Sequence, residues 1–152
     1  MYSVSVVIWQ IIIFLFSAQT SAQSSNVSGN LTKAVIGFIM PKMTDAELES
    51  TAQSLSFIVR KSAHFAIYFV LGMLMYKAIQ KCGRFKNKIA FSALFCMLYS
   101  VTDEIHQIFV PGRACRLFDI FVDCIGSILG IALVVFLTTI FEKWNKNKSS
   151  LV

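Results

Sequence analysis

Residues 99–130, YSVTDEIHQIFVPGRACRLFDIFVDCIGSILG, decide the fold. Apolar runs long enough for a bilayer here carry Asp103, Glu104, His106, Gln107, Arg113, Arg116, Asp119 and Asp123. A carboxylate in hydrocarbon costs about 3 kcal/mol or more, so such residues mark functional positions that need partners. On a helix turning about 100° per residue, Tyr99, Ser100, His106 and Gln107 fall within about 60° of Asp103. Leu98, Val101, Ile105, Ile108 and Phe109 lie opposite. The next segment repeats the pattern: Asp119, Asp123, Gly126 and Gly130 share a stripe, backed by Phe121, Ile125, Ile128 and Ala132. With Val110-Pro111-Gly112-Arg113 between them, the two segments predict a membrane hairpin with a polar seam.

Working outward, 56% hydrophobic and 14% charged residues over 152 positions are too apolar for an ordinary soluble domain and predict one membrane domain, residues 1–152. The excess of 14 Lys+Arg over 8 Asp+Glu sits beside the apolar segments. That placement is a topology signal and argues against a nucleic-acid partner. Cys82, Cys96, Cys115 and Cys124 form no CxxC pair, and the HxxxH and ExxH spacings are absent, so neither a metal nor another cofactor is expected.

The expected architecture is all-α and polytopic, with about four transmembrane helices near residues 4–18, 62–80, 89–110 and 118–141. The first apolar run lacks a preceding Lys or Arg, which favours a retained span over a cleaved signal peptide. Residues 31–40 are amphipathic and stop at Pro41; Thr44-Asp45-Ala46-Glu47 has capping-box spacing and opens an interfacial helix over about 45–59. The basic loop 81–88 and the basic tail after residue 141, which ends the last helix, place both termini in the cytoplasm of a multi-pass cell-membrane protein.

In an up-down bundle the end of span one, the start of two, the end of three and the start of four meet on one side. That side collects Ser17, Gln19, Arg60, Lys61, His64, Tyr68, Asp103, Glu104, His106, Gln107, Arg113, Arg116, Asp119 and Asp123. Arg113 and Arg116 are the expected partners of the carboxylates, since a guanidinium stays charged and grips with two hydrogen bonds. Three readings follow. One is a buried ion-pair lattice that holds the helices in register. The second is a pocket for an anionic or amide-rich headgroup, built from Arg60, His64, Tyr68, Asp103, Glu104, Gln107, Arg113, Arg116, Asp119 and Asp123. The third is catalysis, with His106 or His64 as base and Asp103 or Asp119 orienting it, or with a divalent metal held by the acids. Gly126-xxx-Gly130 reads as a close helix contact.

These residues also resemble a known family. DEIHQIFVPGR, then Asp119, then Asp123-xx-Gly126-xxx-Gly130, with Arg60-xxx-His64-xxx-Tyr68-xxx-Gly72 upstream, is similar to the VanZ-like membrane proteins over about residues 14–135. The chain departs from the family at Cys115, where small residues are usual, and at Asp123, often Asn. The family's namesake is associated with resistance to the glycopeptide teicoplanin. The resemblance therefore implies a bacterial envelope protein that binds a membrane lipid, a lipid-linked cell-wall precursor or the glycopeptide, as a possible homo-oligomer. The alternative is an enzyme that modifies a lipid-linked envelope substrate.

Overall fold

The computed structural model describes residues 2–149; residue 1 and residues 150–152 of the expected domain lie outside the described residues. Helices start where the sequence supplies a cap. After α1 (Tyr2–Ser17), α2 (Ser21–Ile39) opens on Thr20, whose hydroxyl accepts from the Gln23 N–H while the Gln23 side chain accepts from the Thr20 N–H. In α3 (Asp45–Cys82) Thr44 and Glu47 do the same, and Gly83, at φ +70°, ends the helix in the left-handed conformation glycine permits. Asn87 caps α4 (Lys88–Gln107) by accepting from the Ala90 N–H. α5 (Leu117–Ser149) completes the chain. Replacing Thr44 with alanine is expected to cost about 1 kcal/mol at the start of α3, read as lost hydrogen-exchange protection over residues 45–48.

The described residues form helices and connecting turns, so the all-α expectation holds, with changes in the elements. The polar stretch after the first apolar run is helical and continuous with residues 31–39 in α2. Its Ser28 and Thr32 hydroxyls donate back to the carbonyls of Ser24 and Ser28, which lets them pack inward without losing partners. The expected interfacial helix and second span are one helix, α3, because nothing at residues 59–62 breaks it. α4 stops at Gln107, three residues short of expectation, where the chain turns into Val110-Pro111. α5 runs on through the basic residues instead of ending before them, lysines being good helix formers.

Two helices, α3 and α5, are long and apolar enough to cross a membrane. A third span arises if α1 and α2, bent by 101° at their junction, count as one. α4 fails that test because Asp103, Glu104 and His106 fall in its last turns. Burial is inverted relative to a water-soluble bundle. Asp103, Glu104, Gln107 and Asp123 are at most 3% exposed, while Phe109, Phe121 and Phe136 are more than 60% exposed. Large apolar side chains outside, with the charged ones drawn inside next to an apolar core, is the arrangement hydrocarbon selects.

α3 is the central element and touches all four others. α5 runs parallel to it, as the successive pairs Lys61–Asp119, His64–Asp123 and Phe69–Gly130 show. α1 and α4 run the other way. Trp9 of α1 donates to the Ile67 carbonyl of α3 at 2.8 Å, and Tyr99 of α4 donates to the Gln10 carbonyl at 2.6 Å. The α3–α5 seam is backbone against backbone: a Cβ at Gly72, Gly126 or Gly130 would collide with the carbonyls of Ser127, Phe65 and Phe69 respectively. The Gly126-xxx-Gly130 stripe is thus a close helix contact, as its spacing predicted.

Candidate functional site

The turn after α4 sets the rim of the site. Arg113 N–H donates to the Val110 carbonyl at 3.0 Å, and Gly112 at φ +74° allows the turn that Pro111 begins. Ser21 N–H donates to the Pro111 carbonyl, and Arg113 Nε to the Gln19 carbonyl at 3.2 Å, which fastens this turn to the α1–α2 junction. The Arg113 guanidinium is thereby held over the ends of α1 and α4.

Beneath the rim lies the acidic layer. Asp123 Oδ2 accepts from Ser100 at 2.9 Å, and its Oδ1 sits 3.7 Å from His64 Nδ1. Gln107 donates to Ser17 at 2.9 Å and more weakly to Asp103 Oδ2 at 3.5 Å. Glu104 Oε2 accepts from the Arg116 backbone N–H at 2.9 Å. Asp119 pairs with Lys61. Asp103 Oδ1, Glu104 Oε1 and Asp123 Oδ1 remain buried without a hydrogen-bond partner among the described residues. Unsatisfied buried acceptors are costly, and the Tyr68 hydroxyl and His64 Nδ1 are likewise buried without a hydrogen-bond partner among the described residues.

The expected arginine–carboxylate pairs do not form: among the described residues every ion pair in the site uses Lys61 or His64. Arg113 is drawn to a carbonyl, and Arg116, an exposed residue at the cavity rim, reaches Glu104 through its backbone N–H. The ten residues expected to line a pocket do converge at one end of the bundle, with Arg60 donating to Ser25 at 2.7 Å and Tyr68 fully buried against Tyr99. His106 stands apart, its ring 4.4 Å from that of Phe14 on α1, so of the catalytic candidates only His64 faces a carboxylate. Among the described residues no three of His, Cys, Asp and Glu converge closely enough to hold a metal ion.

Two concavities open at this end. A small cavity of about 60 Å³ is lined by Arg60, Lys61, Arg113, Arg116, Gln107 and Asp119, among others. Beside it, a groove of about 230 Å³ between α1, α2 and α3 has Phe16, Val27, Leu31, Val59 and Ile67 in its wall, with His64 at its inner edge. Arg60 and Arg113 line both. Residues 2–139, carrying this whole end of the bundle, match the family model described as VanZ/LLP1. The chain belongs to the VanZ/LLP1 family. No curated protein and no solved structure matches it.

In this VanZ/LLP1 protein the groove wall supplied by α2 is the part that reading the sequence missed. Ser24, Val27 and Ser28 lie in the polar run SAQTSAQSSNVSG, and Leu31 opens the amphipathic stretch after it. The signal was present, since Thr20-x-x-Gln23 has the same capping-box spacing as Thr44-x-x-Glu47.

Proposed function

We propose that this VanZ/LLP1 protein is a single four-span membrane domain, with α1, the apolar half of α3, α4 and α5 crossing the bilayer. Its site end faces outward and both termini face the cytoplasm. The support is the basic end opposite the site: Lys77, Lys81, Arg84, Lys86 and Lys88 cluster at the α3–α4 turn, and parallel packing of α3 and α5 brings the lysines near residue 143 to the same end. At the outward end the protein binds a lipid or lipid-linked envelope molecule and so lowers the action of a glycopeptide such as teicoplanin. The observation that carries this reading is that Arg60 and Arg113 stand at the junction of a cationic cavity and an apolar groove, the shape of a charged headgroup on an acyl tail.

The test is expression in a susceptible Gram-positive host. Wild type is expected to raise the inhibitory concentration of teicoplanin, and Arg113→Ala and Asp103→Asn to return it to that of the host alone at equal membrane levels. Equal susceptibility of all strains rejects the resistance role.

A further inference from the structure

We infer that the cavity ringed by Arg60, Arg113 and Arg116 selects a phosphate monoester on a lipid, over the phosphodiesters that make up most bilayer headgroups. This deepens the lipid-binding reading and rests on it.

Charge is the first argument. Four cationic side chains line the cavity against the carboxylate of Asp119, and Lys61 is already paired with that carboxylate. Arg60, Arg113 and Arg116 are left without an ion-pair partner among the described residues. A phosphate monoester carries about −1.5 to −2 at pH 7, with three terminal oxygens, whereas a diester carries one charge. Donor supply is the second argument. Arg60 uses one Nη2–H on Ser25, and its buried Nε–H has no acceptor among the described residues; Arg113 spends its Nε–H on Gln19 and keeps its terminal nitrogens. Guanidinium forks with unused N–H groups match terminal phosphate oxygens two at a time.

Size is the third. A cavity of about 60 Å³ holds only a few water-sized groups, which suits a single phosphate. Arg60 and Arg113 also line the apolar groove, so a hydrocarbon chain attached to that phosphate has a continuous path between α1, α2 and α3.

The experiment uses the full chain purified in a maltoside detergent, with bound lipid read by native mass spectrometry. The probes are phosphatidic acid, phosphatidylglycerol and phosphatidylcholine with identical acyl chains, a polyprenyl phosphate, and inorganic phosphate as competitor. Phosphatidic acid is expected to bind about tenfold tighter than phosphatidylglycerol, the worth of one extra charge-assisted hydrogen bond. Arg60→Gln and Arg113→Gln each remove that ratio, while Lys77→Gln, at the opposite end, leaves it. If a glutamine variant misfolds by circular dichroism, Arg113→Lys takes its place: it keeps the charge, loses the fork, and is expected to lower the ratio. A polyprenyl phosphate retained in place of phosphatidic acid, or displacement of lipid by inorganic phosphate, upholds the monoester and identifies its source. Equal binding of phosphatidic acid and phosphatidylglycerol, both lost in Arg113→Gln, overturns the monoester preference and leaves lipid binding standing. No retained lipid overturns both.

Discussion

Gly126→Ala is expected to unfold the bundle at markedly lower temperature than wild type, although alanine is the better helix former. A Cβ at position 126 would sit 2.5 Å from the Phe65 carbonyl oxygen and 3.3 Å from the Phe69 nitrogen. Those atoms belong to the α3 backbone and cannot rotate away, so α3 and α5 must separate. Overpacking of this kind costs about 1–3 kcal/mol, and a larger residue such as valine at Gly130, which meets the Phe69 carbonyl in the same way, costs more. In a bilayer the loss is not offset by any hydrophobic gain, because close van der Waals contact is what holds such helices together. Gly29→Ala is the control. Nothing lies within 4 Å of a Cβ there, and α2 should gain about 0.5–1 kcal/mol from reduced backbone entropy. Thermal unfolding in detergent checks both. A Gly126→Ala melting temperature at or above wild type would show the seam to be looser than the geometry requires. The same separation would pull Lys61 from Asp119 and His64 from Asp123, so loss of stability and loss of binding should appear together.

The glycine stripe was legible because its consequence is local: a repeat of four on an apolar helix has one geometric meaning. So was the gathering of charged residues at one end, which follows from alternating helix direction alone. The partners were not legible. A helical wheel centred on Asp103 puts His106 and Gln107 on either side of it and Glu104 off the stripe. The folded helix buries Glu104 completely and turns His106 against Phe14, since α4 packs on α1, α3 and α5 and its interior arc is wider than a two-helix seam. Nor does charge type specify the pairing. Arg113 and Arg116 are the strongest carboxylate binders in the region, yet the turn fixed by Gly112 and Ser21 spends one on a carbonyl and brings the other to Glu104 through its backbone N–H. Lys61, one residue after the Arg60-His64-Tyr68 face, takes Asp119 because the parallel register of α5 puts that carboxylate beside it.

Removing either member of the Lys61–Asp119 pair is expected to cost about 3–5 kcal/mol, the penalty for leaving a mostly buried charge alone. The two losses should differ. In Lys61→Met the stranded Asp119 still lies in the first turn of α5, where the helix N-terminus favours a negative charge. In Asp119→Leu the stranded Lys61 is left among Arg60, Arg113 and Arg116 with no acid in the cavity wall among the described residues, so this variant should be the less stable. The double variant Lys61→Met/Asp119→Leu removes both charges and should recover most of the loss, with a coupling energy of about 2 kcal/mol or more in unfolding measurements. Simple addition of the two single losses would refute a paired role. Binding separates the same three proteins in a different order. Asp119→Leu frees a fourth cation for an anion and should tighten phosphatidic acid while weakening the fold. Lys61→Met removes one cation and leaves the Asp119 carboxylate to engage the three arginines in the ligand's stead, and should weaken the lipid. The double variant keeps those arginines unopposed and should bind near wild type. A variant that binds more tightly as it becomes less stable is the behaviour of a cavity whose internal acid stands where the ligand's charge would otherwise act, and an inert ion-pair lattice has no reason to show it.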